Sequence, residues 1–160
     1  LIGSQDARFY ITPTPRGYSC DHAEAAIDLA ESYGLTLDEW QAKVVRAWFE
    51  DDDHGQMVRW HVGHLSSSSE RQNGALEAVE LYLMSSLAEV LHTSHLLPSA
   101  RKAFKRLMSF FGNKVDDPNA RFPELNAMVV EIRKTNGQEA IVLNNGHDRT
   151  GRPYRWRRPR

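Results

Sequence analysis

The chain has 160 residues, 41% hydrophobic and 26% charged, a composition that excludes a disordered polypeptide and suits a domain with a real core. Its formal net charge is −1, so it is neither strongly basic nor strongly acidic as a whole. One cysteine, Cys20, excludes an internal disulfide, and no apolar run reaches membrane-spanning length, so a soluble protein of a reducing cytoplasm is expected.

Residues 1–20 include "TPTPRGY" and lack the basic and apolar regions of a signal peptide. They read as an irregular N-terminal arm. The stretch "DHAEAAIDLAESYG" predicts a helix with Ala26, Ile27 and Ala30 inward and Gly34 as its stop. In "TLDEWQAKVVRAWF", Thr36-x-x-Glu39 offers a capping box. Leu37, Trp40, Val44 and Trp48 recur at helical steps and predict one buried face. The acidic run Asp51-Asp52-Asp53-His54-Gly55 reads as a solvated loop.

"MVRWHVGHL" has strand character, and the serines after it end the run. The polar segment Arg71-Gln72-Asn73-Gly74 reads as a turn. It leads into a helix from Gly74 to about Ser86, with Leu76, Val79, Leu83 and Leu87 on one face. "EVLHTSH" reads as a short buried strand. Pro98 suits the first turn of the next helix, "PSARKAFKRLMSFF", which Gly112 ends. "GNKVDDPNARFPEL" is a loop, and "AMVVEIRK", a turn containing Asn136-Gly137, and "EAIVL" form a hairpin. The order α, α, β, α, β, α, β, β predicts an α/β fold.

Charge is divided along the chain. Residues 1–100 hold 6 Lys+Arg against 15 Asp+Glu, and residues 101–160 hold 14 against 6, balances of −9 and +8. Either the two parts neutralise each other on folding, or the basic part faces a polyanion or an acidic partner. The C-terminal "DRTGRPYRWRRPR" concentrates the effect: Arg149, Arg152, Arg155, Arg157, Arg158 and Arg160 surround Tyr154 and Trp156. Guanidinium groups contact phosphates and aromatic rings stack on bases, so residues 147–160 are either a nucleic-acid-binding tail or a solubilising one.

Metal and thiol chemistry find little support. His61 and His64, and likewise His92 and His95, fall on opposite faces if their segments are strands, and no paired cysteine accompanies them. Cys20 has no evident activating base. Neither a metal ligand nor a catalytic residue is assigned.

Several segments in series, "GLTLDEWQAKVVRAWF", "RW", "RQNGALEAVELYLM", "EVLHTSHLLPSARKAFKRLMSFF" and "EIRKTNGQEAIVLNNG", resemble the large terminase subunit of tailed bacteriophages. The likeness is to the N-terminal ATPase part of the actinobacterial siphophage type and covers most of residues 34–146. It implies an incomplete terminase ATPase-like domain over residues 21–146. Its fold would be a partial P-loop NTPase-like three-layer core, with a short, mainly parallel sheet and a β-hairpin. It further implies ATP and Mg2+ as cofactors, and double-stranded DNA, a small terminase subunit and the portal or procapsid as partners, in the cytoplasm of a host cell. By the same resemblance Gln41 would read adenine, Arg71 would face the phosphates, and Gln72, Asn73 and Gly74 would complete the phosphate loop.

The chain departs from that family at the catalytic positions. Ala75 and Leu76 follow Gly74 where a Lys and a small polar residue are usual, and "SSSSE" precedes Arg71 where an apolar strand is usual. "AIVL" runs into Asn144-Asn145 in place of an Asp-Glu pair, and no nuclease part is present. The expectation is a fragment or homologue of the DNA-packaging motor without catalytic competence of its own. The alternative is a non-catalytic protein that binds nucleic acid or a motor component.

Overall fold

In the computed structural model the described residues are 19–54, 69–85, 90–93, 96–135 and 139–144, with residues 69–73 described as backbone only. The chain divides into two units, Leu1–Tyr82 and Leu83–Arg160. The elements are α1 (Asp21–Ser32), α2 (Glu39–Trp48), α3 (Ser69–Ser85), α4 (Leu97–Phe111), α5 (Pro123–Asn126), β1 (Val129–Arg133) and β2 (Ala140–Leu143). None of these helices is long and apolar enough to cross a membrane.

In the first unit, small side chains set the packing. Ala23, Ala26 and Ala30 of α1 are fully buried at helical spacing, and α1 lies against α2. Ile27, expected inward, is only half-buried. Gly34 ends α1 as predicted, at φ 79°. Its N–H donates to Glu31 O at 2.8 Å and the Leu35 N–H donates to Ala30 O at 2.9 Å. These two bonds are a Schellman motif, which needs the left-handed residue that glycine supplies without strain.

The capping box of α2 lies two residues beyond the predicted one. Asp38 is the N-cap and Gln41 the partner, with the Asp38 N–H donating to Gln41 Oε1 at 2.6 Å. Both pairs have the required spacing, so local sequence does not choose between them. Burial does: Gln41, Val45 and Phe49 are the buried line, while Trp40, Val44 and Trp48 of the predicted face are half-buried. Asp51 also departs from expectation. It is 5% exposed, because its backbone pairs with Ser19 in an antiparallel bridge. Asp53 and His54, also in the acidic run, are exposed, and Asp52 is half-buried.

The segment Arg71-Gln72-Asn73-Gly74 is helix, not turn, since α3 begins at Ser69. Polar residues within one turn of a helix N-terminus read as loop in isolation, but Ala75, Ala78 and Leu81 bury the face that continues from them.

In the second unit, α4 starts with Pro98 in its first turn and ends at Gly112, φ 90°, as predicted. It buries Ala103, Leu107, Met108, Phe110 and Phe111. β1 and β2 form the expected antiparallel hairpin, pairing Ile132 with Ile141 and Arg133 with Ala140, with an irregularity between Val129 and Glu131. Its Asn136-Gly137 turn lies outside the described residues, as do "MVRWHVGHL", His61, His64, His95, residues 1–18 and the tail.

The described sheet bears on part of the expected fold, and one expected strand is corrected. Among the described residues the sheet has two antiparallel strands, giving a mixed helix and strand fold compatible with the α/β class, and a parallel sheet is not among them. Val90–Thr93, expected as an interior strand, has no strand pairing, and Leu91 is 86% exposed. An apolar β-prone run becomes a strand only when neighbours accept its backbone bonds and cover its side chains.

Asn126 organises the loop that joins α4 to α5. Its Nδ2 donates to Phe111 O at 2.7 Å and to Lys114 O at 2.8 Å, and its Oδ1 accepts from the Asp117 N–H at 2.7 Å. A Cβ on Gly112 would stand 2.6 Å from Asn126 Nδ2. Asp117 in turn accepts the N–H groups of Asn113 and Asn119, both at 3.0 Å, and these bonds hold its carboxyl below the usual aspartate range. Phe110 and Phe122 stack alongside at 6.0 Å. Asn126→Ala should cost roughly 2–4 kcal/mol, because it strands buried backbone groups. Urea denaturation followed by circular dichroism reads this out, and a loss under about 0.5 kcal/mol would contradict the role given to Asn126.

Candidate functional site

Two residues predicted to act together, Gln41 and Gly74, meet in the first unit. Gln41 is on the buried side of α2, 6% exposed. Gly74 is in the second turn of α3, and a Cβ there would come within 2.7 Å of Gln41 Nε2 and 3.3 Å of its Cδ. Real Cβ atoms do not approach so closely. The missing side chain is therefore what lets the carboxamide of α2 rest against the backbone of α3. Gly74 has no positive φ to explain it, and glycine inside a helix costs about 1 kcal/mol relative to alanine. Close approach is the physical reason for it.

The local chemistry differs from that of a phosphate loop. Such a loop aims unpaired backbone N–H groups at phosphate oxygens. In a helix that starts at Ser69, the helical residues with unpaired N–H groups are 69–71, and the N–H groups of Asn73 and Gly74 point at intrahelical carbonyls. Gln41 Oε1 is engaged by its own helix cap at 2.6 Å. Presenting both a donor and an acceptor to a base edge would mean sharing or surrendering that bond. Ala75, at the position of the usual Lys, is buried. The side chains of Arg71, Gln72 and Asn73 lie outside the described residues.

A second cluster was not legible in the sequence. His22 Nδ1 pairs with Tyr82 Oη at 2.7 Å, and His22 Nε2 stands 3.6 Å from Asp51 Oδ2. Tyr82 also meets Phe49 edge to face, with centroids 5.3 Å apart. The imidazole of α1, the phenol of α3 and the Asp51 carboxylate, from the segment after α2, are thus brought together. Tyr82 lies 60 residues from His22 in the chain, and no local spacing announces such a meeting. Beside it, Arg46 donates to both carboxylate oxygens of Glu24, at 2.6 and 3.2 Å. Those bonds hold the Glu24 carboxyl below its ordinary range and raise the Arg46 guanidinium. Glu24 and Arg46 are partly exposed, so the pair contributes at most about 1 kcal/mol.

Among the described residues no group of three or more His, Cys, Asp or Glu side chains is placed to hold a metal ion. His92 is half-buried and Cys20 stands at the N-cap of α1. Arg149, Arg152, Arg155, Trp156, Arg157, Arg158 and Arg160 lie outside the described residues.

No family model, curated protein or solved structure matches this chain. Its reading rests on its own residues.

The contact between Gln41 and Gly74 generates a double-mutant test. Gln41→Ala should cost about 1 kcal/mol through the lost capping bond. Gly74→Ala should destabilise the native protein by a similar amount, since Gln41 is tethered and cannot swing aside. In the Gln41→Ala background the same Gly74→Ala change should stabilise, by up to about 1 kcal/mol, from helix propensity alone. Thermal unfolding of the four proteins measures this. Equal effects in both backgrounds would show that the contact does not constrain residue 74.

Proposed function

We propose that this chain is a fragment or homologue of the ATPase part of the large terminase subunit, acting in phage DNA packaging by binding rather than by turning over ATP. The observation that carries the reading is the meeting of Gln41 with Gly74. The "WQ" and "RQNG" segments, assigned to one nucleotide site by resemblance, lie 33 positions apart in sequence and touch in space. The linear order of the other matching segments supports the same reading.

The residues present do not fit Mg2+·ATP held for hydrolysis. The main charge on the β- and γ-phosphates would come from a Lys after Gly74, and that position is Ala75. β2 ends at Leu143 and leads into Asn144, whose N–H donates to Met128 O at 2.8 Å. A carboxamide there carries no negative charge for Mg2+. The helical course of residues 72–74 takes amides that a phosphate loop would offer.

What remains of the motor is its capacity to associate. Double-stranded DNA is the expected partner of the arginine-rich residues 149–160, and a small terminase subunit and the portal are the protein partners the resemblance suggests. A purely nucleic-acid-binding protein is the competing reading, favoured by the same basic C-terminal part.

Mg2+-dependent ATP turnover by the purified chain should be negligible, since loss of such groups lowers phosphoryl-transfer rates by orders of magnitude. Equilibrium binding of a fluorescent ATP analogue separates the two readings. Binding that weakens on Arg71→Ala favours the terminase reading, and DNA binding with no nucleotide affinity favours the alternative. Steady hydrolysis abolished by Arg71→Ala would overturn the claim of catalytic incompetence.

A further inference from the structure

Helix α4, "LPSARKAFKRLMSFF", carries Arg101, Lys102, Lys105 and Arg106 and no acidic residue. Arg101 with Lys105, and Lys102 with Arg106, are like-charge pairs four residues apart, a spacing that brings side chains together and destabilises the helix by a few tenths of a kcal/mol per pair. No acidic residue occupies the first turn to favour the helix dipole. These i,i+4 repulsions work against the helix, and its apolar face, buried through Leu107, Met108 and Phe111, holds it in place.

The four cations are not equivalent. Arg101 donates from Nε to Glu139 Oε1 at 3.2 Å, just before β2, a use that suits a planar guanidinium. Lys102 and Lys105 are both exposed, one turn apart, and make no ion pair with any described residue. Two hydrated point charges on flexible stems suit a closely spaced series of anions better than a single carboxylate. A nucleic-acid duplex offers such a series, about one phosphate charge per 1.7 Å of axis.

We infer that Lys102 and Lys105 of α4 dock on the phosphate backbone of duplex nucleic acid. The contact is independent of base sequence, because lysine stems on one helix face neutralise phosphates without reading base edges. It also relieves the like-charge crowding on α4. The inference rests on the charges of this helix and stands whether or not the chain binds nucleotide.

The test is fluorescence anisotropy with the full chain and a labelled 20-base-pair DNA duplex of arbitrary sequence, titrated between about 50 and 200 mM salt. Lys102→Gln/Lys105→Gln should lower affinity by roughly tenfold or more and reduce the log–log salt slope by about 1.8, the share of two phosphate contacts. Lys102→Arg/Lys105→Arg should preserve the slope, and so should Lys43→Gln in α2, which removes an exposed cation elsewhere. The melting temperature of the double Gln variant should equal or exceed that of the native chain, since two repulsions are removed. If that variant does not fold, each single Gln substitution should lower the slope by about 0.9.

An unchanged slope in the Gln variants overturns the inference, as does an equal fall for Lys43→Gln. Competition by polyglutamate as strong as by unlabelled duplex at equal charge also overturns it, in favour of an acidic protein partner. ATP turnover or nucleotide affinity leaves these readouts untouched, so failure here is distinguishable from failure of the terminase reading.

Discussion

The Gln41 carboxamide is the point on which the first unit turns. Its oxygen closes the cap of α2 through the Asp38 N–H, and its nitrogen end rests where a side chain on residue 74 would have to be. One residue thereby fixes where α2 starts and how closely α3 approaches it. The neighbouring packing follows the same logic of small surfaces: Ala23, Ala26 and Ala30 on α1, and Ala75 and Ala78 on α3, are all buried. Close helix approach gains dispersion contacts that larger residues would obtain by filling volume instead. The arrangement is consequently sensitive to added bulk, as a close-packed interior must be.

The second unit solves a different problem with a second carboxamide. The chain leaves α4 through Gly112 and needs partners for buried carbonyls at the helix end. Asn126 supplies two donors and one acceptor to three backbone groups from residues 111–117. Asp117 then orders the next turn by accepting two backbone N–H groups. Since these bonds keep its carboxyl ionised to lower pH than usual, their contribution is present above the ordinary aspartate range and lost as pH falls through the depressed value. Exposure of that carboxyl keeps the contribution small.

Function in this chain is read most readily from charge and from what the candidate nucleotide site has in place of catalytic groups. Ala75, which follows Gly74 on α3, is buried, and Asn144, which follows β2, is bonded through its N–H to Met128 O. Helix α4 carries four cations and no acidic residue, and Glu139 just before β2 is the partner of one of them, Arg101.

Local signals carried the helices well. The Gly34 stop, the Pro98 start, the Gly112 end and the β1–β2 hairpin follow from conformational preferences of a few residues, which act within one turn and need no distant partner. No local signal announces the meeting of Gln41 and Gly74, and residues 71–74, which read as a turn, are helix. Elsewhere the outcome depended on neighbours far along the chain. Asp51 is buried because Ser19 pairs with its backbone, and His22 finds Tyr82 across 60 residues. Val90–Thr93 forms no strand although its residues favour one. Two capping boxes had equal local claims, and the one that buries Val45 and Phe49 prevailed. Propensity and spacing are properties of short segments, whereas burial and pairing depend on surfaces brought together by the whole fold, and only the tertiary structure decides which surfaces those are.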